Sequence, residues 1–240
     1  MARTPKKTTA ENAAPRGDRD RIVDALMELA AEQPFGDVTV SAIAERAGVS
    51  LADFRDAFPS KGAVLAAFNR RIDRIVLDGV TADMADETTK ERLFDVLMRR
   101  FDALAPYRAA IESIVAWARR DPIAAARLNS MALNSMRFMM EAAGADSEGP
   151  VGALKLQGLT LAWARLVNVW LADDDPGMAA TMADLDRTLR RGDMLIARAE
   201  DVDRLTAPLR SLARGVVSAG LRFVSERQAK AGEKEASETR

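Results

Sequence analysis

Polar and apolar positions alternate along most of this chain with the 3.6-residue rhythm of amphipathic helices. From Asp18 to Glu32, Ile22, Leu26 and Leu29 share one face with Val23 and Ala30 beside them, and Pro34 and Gly36 end the pattern. Three shorter helices follow. Thr39 caps one through Arg46, Gly48 allows a turn, Ser50 caps the next to about Phe58, and Ser60 leads a fourth to about Leu77. After "DETTK" the helices lengthen, to roughly 89–104, 107–119, 122–143, 151–171, 176–191 and 203–225, with breaks at Pro106, Pro122, "GADSEGPVG" and "DDDPG". The short "DVTV" reads better as a loop entering a helix than as a strand. The expected fold is all-α.

Four stretches are expected: a polar, basic, disordered arm over 1–17, a four-helix unit over 18–78, a larger helical domain over 79–225 and a disordered tail over 226–240. With 240 residues, 48% of them apolar, the chain can bury a substantial core. It contains neither His nor Cys, which removes the commonest general base, thiolate nucleophiles and the usual soft metal ligands. An enzyme is therefore not expected, and no catalytic residue, metal site or cofactor is assigned. The acidic cluster at Asp173 to Asp175 reads as structural, with Asp175 capping a helix and Pro176 at its first position. No apolar run reaches the length of a membrane span, and no secretory apolar region lies near the N-terminus. A cytoplasmic protein with at most peripheral membrane contact is expected.

The segment "VSAIAERAGVSLADFRDAF" has the cadence of a helix-turn-helix. Two short helices must cross closely, which Ala44 permits; the turn needs φ > 0, which Gly48 tolerates; and Ile43, Ala47, Val49 and Phe54 occupy inward positions. Together with the preceding amphipathic helix and "FPSKGAVLAAF", it resembles the N-terminal domain of the TetR family of bacterial transcriptional regulators. That resemblance, over about residues 20–70, implies an all-helical homodimer. Its larger domain would bind a small ligand, and its recognition helix, about Ser50 to Ala57, would enter the major groove. On this reading Thr39, Ser50, Leu51, Ala52, Arg55 and Lys61 lie at the DNA.

The family pattern is not followed throughout. Arg55 stands where the family usually has a phosphate-binding Tyr, and Asp53 where it has Thr. Asp53 and Asp56 repel phosphate, although a carboxylate can accept from cytosine N4. Over residues 18–74, eight Lys or Arg stand against ten Asp or Glu, a poor start for neutralising phosphates. In the other direction, the arm carries Arg3, Lys6, Lys7 and Arg16 against Glu11, and basic arms can enter the minor groove.

In the larger domain, helix 203–225 lines up Leu205, Leu209, Leu212, Val216 and Phe223, with small residues Gly215, Ala219 and Gly220 on a second surface. Helix 151–171 is apolar nearly all round. By the family resemblance these two would form the dimer's four-helix bundle. Trp117, Met131, Met136, Met139 and Trp163 are candidates to line a pocket for an apolar effector or lipid, with core packing as the alternative use of each. "RLFDVLMRRFDALAPY" (92–107) and "WLADDDPGMAATMADLDRTLRR" (170–191) are similar to segments of TetR-fold ubiquinone-biosynthesis accessory proteins, which bind lipid. Two functions thus stand side by side: a ligand-responsive regulator, a repressor with an apolar effector, or a lipid-binding accessory protein with a degenerate DNA surface.

Overall fold

A computed structural model describes residues 17–80 and 87–192. All the regular elements it describes are helical. They are α1 (Asp18–Glu32), α2 (Val40–Ala47), α3 (Leu51–Ala57), α4 (Lys61–Asp78), α5 (Thr89–Leu104), α6 (Arg108–Ala118), α7 (Pro122–Ala142) and α8 (Gly149–Leu171), with 3-10 turns at Phe35–Asp37 and Ala105–Tyr107. A ninth helix, α9, begins at residue 179. The arm over 1–16, the predicted helix 203–225 and the tail lie outside the described residues.

Each short helix starts where a side chain can satisfy its free amides. Thr39 Oγ1 accepts from the Ala42 N–H, Ser50 from Asp53 and Ser60 from Ala63. Helix α2 ends at Gly48, whose φ of 65° is left-handed and lets Val49 N–H reach back to the Ala44 carbonyl at 3.0 Å. Behind these helices Ile22, Leu26, Ile43, Phe54, Phe58 and Val64 are buried together, so the small unit has its own apolar centre. That centre continues into the next helices. Helix α1 packs on α6, and the Ser113 hydroxyl accepts from Phe35 N–H at 2.8 Å while donating to the Gln33 carbonyl at 3.1 Å.

Helix α4 runs 18 residues, about 27 Å, out of the small unit and packs on α5 and α7. There Phe101 stacks on Trp163 at 4.6 Å and tilts against Trp170 at 5.6 Å, with Met136 and Met139 fully buried. Helix α8 enters this core tightly: a Cβ on Gly152 would sit 2.3 Å from the Ser147 carbonyl carbon, so only glycine fits.

The connection from α8 to α9 corrects one expectation. Pro176 is not the first residue of a helix; it lies in a turn with Gly177, and α9 begins at 179. Asp175 accepts from Gly177 N–H and Ala179 N–H, folding the turn, while the buried Asp173 reaches forward to the N–H and hydroxyl of Thr181 at 2.8 and 2.7 Å. Those bonds hold Asp173 below the usual carboxylate range. The two carboxylates serve different amides at the start of the helix, Asp175 that of Ala179 and Asp173 that of Thr181.

Candidate nucleic-acid interface

The two acidic residues of α3 have different tasks. Asp53 closes a capping box: its carboxylate accepts from the Ser50 hydroxyl at 2.6 Å and the Ser50 N–H at 3.3 Å, while Ser50 Oγ accepts from Asp53 N–H at 3.1 Å. Those bonds lower the Asp53 pKa and engage one of its two carboxylate oxygens, Oδ2, within the helix. Asp53 is thus an element of helix construction. Asp56 is exposed and stays a free acceptor on the outer surface.

On one side α3 buries Phe54; on the other it exposes Leu51, Ala52, Arg55 and Asp56, Leu51 with 55% of its surface open. Its orientation is held from behind. The Arg19 guanidinium donates to the Ala57 carbonyl at the end of α3 and lies 4.2 Å from the Phe58 ring centroid, and Phe54 and Phe58 meet at 6.4 Å.

The charge count of the small unit hides where its charges go. Arg46 pairs with Glu32 at 2.6 Å and Glu28 at 3.5 Å, tying α2 to α1; the hydrogen bonds from Arg46 lower the Glu32 pKa. Arg71 binds Asp20 and Asp24, and Arg21 binds Asp18. The carboxylates of α1 are therefore each contacted by an arginine within the unit, while α3 itself carries two carboxylates against Arg55. Arg55 takes no part in these pairs and projects outward.

Thr39 and Ser50 are exposed and serve as caps. Lys61 turns inward: Nζ donates to the carbonyls of Phe35 at 2.8 Å, Val38 at 2.7 Å and Gly36 at 3.5 Å, and stands 4.5 Å from the Phe35 ring centroid. Burial lowers its pKa, with Asp37 opposing the shift. Its three protons are occupied in the free protein, so its first task is to fasten the turn before α2 to the start of α4.

The five candidate pocket residues are not brought to one place. Trp117 packs on Phe35 at 4.9 Å, where α6 meets the turn after α1, whereas Trp163 lies on Phe101. Met136 and Met139 are core, and Met131 is half-buried, its carbonyl facing Asn69 of α4. Two open clefts are lined by other side chains. One of about 350 Å³ runs along Met27, Ala31, Tyr107 and Ala110 beside Asp24 and Glu28; one of about 570 Å³ borders Phe94 and Leu189 amid carboxylates.

A buried polar cluster is not visible in the sequence pattern. Arg100 of α5 pairs with Asp73 of α4, donates to Asn69 Oδ1 at 2.8 Å and lies 5.4 Å from the Trp163 ring centroid. Ser135 of α7 donates to Asp73 at 2.8 Å and accepts from Asn69 at 2.6 Å. Burial draws the Arg100 pKa down, and Asp73 opposes that shift. The Arg100 Nε carries no partner. Only the position of Asp73 on the buried stripe of α4, one residue after Ile72, could have signalled it. Among the described residues no group of three or more Asp or Glu could hold a metal ion, and no helix is long and apolar enough to cross a membrane.

Residues 22–68 match the family model described as bacterial regulatory proteins, tetR family. Over 98 residues, 40% of the chain, the sequence is 31% identical to an HTH-type transcriptional regulator BetI of Cronobacter sakazakii, and the match spans about half, 48%, of that relative. A TetR transcriptional regulator from Nitrosomonas europaea has a TM-score of 0.60 at 25% identity, covering 75% of this chain and 99% of the other. A second, from Rhodococcus sp., has a TM-score of 0.55 at 21% identity, covering 75% and 97%, and shares the fold. These proteins are regulators rather than enzymes, and the resemblance of 92–107 and 170–191 to ubiquinone-biosynthesis proteins gains no support from them. The described residues form an all-helical, TetR-like fold whose helix-turn-helix matches the tetR family of bacterial regulatory proteins.

Proposed function

We propose that this protein is a DNA-binding transcriptional regulator, a repressor that binds its operator as a homodimer and releases it on binding a small apolar effector. The observation that carries this reading is the construction of α3. Its fold-side residues are buried, its first acidic residue is used as a cap, and its outer face leaves Leu51, Ala52 and Arg55 open. A helix so exposed and held from behind is suited to a major groove. Arg55 supplies the outward cation, for a phosphate or a guanine edge; Thr39 and Ser50 shape the approach as caps.

Dimerisation is assigned to the outer face of α8. Leu154 and Leu161, one heptad apart, are 66% and 60% exposed, and a Cβ placed on Gly158 between them would meet nothing within 4 Å, so a second copy can approach closely. An apolar effector would have to open space in the interior of α5, α7 and α8, where Phe101 and Trp163 stack and Met136 and Met139 are buried.

Fragmented genomic DNA of the host, incubated with the purified protein at low and high salt and then sequenced, tests the reading. Enrichment of a palindromic site that survives the higher salt is expected. Retention of nothing, or of salt-labile fragments without a common sequence, would contradict it.

A further inference from the structure

The outer face of α3 is aliphatic at its start and charged further on, at Arg55 and Asp56. Its first polar groups are engaged within the helix: Ser50 Oγ both accepts from Asp53 N–H and donates to Asp53 Oδ2, and Oδ2 also takes the Ser50 N–H. Beside them stand two aliphatic side chains, Leu51 at 55% exposure and Ala52, both open on the outer side of the helix. Neither can make a hydrogen bond. Of the groups on the floor of the major groove, the thymine 5-methyl is the one that an aliphatic side chain distinguishes.

We propose that Leu51, with Ala52 at its side, reads thymine 5-methyl groups, so that the half-site carries a thymine facing the start of α3. This rests on the DNA-binding function proposed above. The structure adds two supports. Leu51 is not needed by the core, since Phe54 and Phe58 fill the inner side of α3. The capping box also fixes the backbone at Leu51, and Arg19 pins the other end of the helix, so the aliphatic surface is presented in one orientation. Asp56, an outward acceptor more than one turn further on, repels phosphate and purine acceptors and can take a base only through a donor such as cytosine N4.

The test takes the palindrome recovered from genomic fragments and replaces each thymine in turn by deoxyuridine, which removes only the methyl group and leaves every hydrogen bond. Affinities are measured for the full-length protein and for Leu51→Ala, a substitution at an exposed position that keeps the cap and the helix propensity. The expected result is one thymine per half-site whose replacement weakens the native protein about fourfold, the value of one buried methyl. Leu51→Ala binds the unmodified site more weakly and is indifferent to that replacement, so the two changes are not additive. If the native protein binds the palindrome and ignores every deoxyuridine, the methyl reading is wrong while DNA recognition stands. Undiminished sensitivity in Leu51→Ala assigns the methyl to another residue and also overturns it. If no palindrome is bound at all, the DNA-binding function falls and this inference with it.

Discussion

The surface of α3 and the interface of α4 with α5 and α7 use the same residue types in opposite ways. On α3 the carboxylate of Asp53 is exposed and bonded within its own turn, and the guanidinium of Arg55 is left open. At the interior, Asp73 and Arg100 are both below a tenth exposed and are held by each other, by Asn69 and by Ser135, across three helices. The first arrangement frees a surface for a partner. The second commits charge to joining α4 to the helices it packs on.

The comparison breaks most visibly at the interior. Removing one partner of a buried pair strands the other charge in a dry site, so Asp73→Ala is expected to cost about 3–5 kcal/mol, read as a fall in the urea midpoint. The double variant Asp73→Leu with Arg100→Met is expected to regain most of that loss, because no charge is left behind. If Asp73→Ala unfolds at the native midpoint, the pair does not hold the helices together.

At the surface the effects are smaller. Ser50→Ala removes the acceptor for the Asp53 amide and is expected to cost about 1 kcal/mol. Acid acts on the same device. The folded-state pKa of Asp53 is depressed by its bonds to Ser50, so its contribution is present at neutral pH and is lost as pH falls through the ordinary carboxylate range, near 4, toward the depressed value. Asp173, bonded to Thr181, follows the same sign. Asp53→Ala is therefore expected to be less stable than the native protein at pH 7 and to approach it at pH 3, in parallel urea titrations. A constant gap between the two pH values would remove the carboxylate from the cap.

What is legible in the sequence is what local chemistry decides. The limits of α1 follow from its apolar stripe and from Pro34 and Gly36, and Thr39, Ser50 and Ser60 are caps because their hydroxyls serve amides three residues on. The late start of α9 is not legible, since Asp175 caps it across a turn through Pro176 and Gly177 while Asp173 reaches Thr181 eight residues on. Asp53 shows a related limit: its charge alone sets it against DNA, whereas its position three residues after Ser50 marks a capping box. Lys61 and the Asp73 cluster depend on partners far along the chain, the Phe35 turn 26 residues before Lys61 and Ser135 66 residues after Asn69. Trp117 and Trp163 share a residue type but belong to separate aromatic pairs, which composition cannot distinguish.

A helix bearing two acidic residues is proposed to read DNA through its outward side, with Arg55 as its cation. The direct measurement is the operator affinity of the native protein and of Arg55→Ala over a series of salt concentrations. Loss of one phosphate contact is predicted to weaken binding and to reduce the slope of log affinity against log salt by about 1. Equal affinity and equal slope for the two proteins would mean that the outward face of α3 does not meet the DNA.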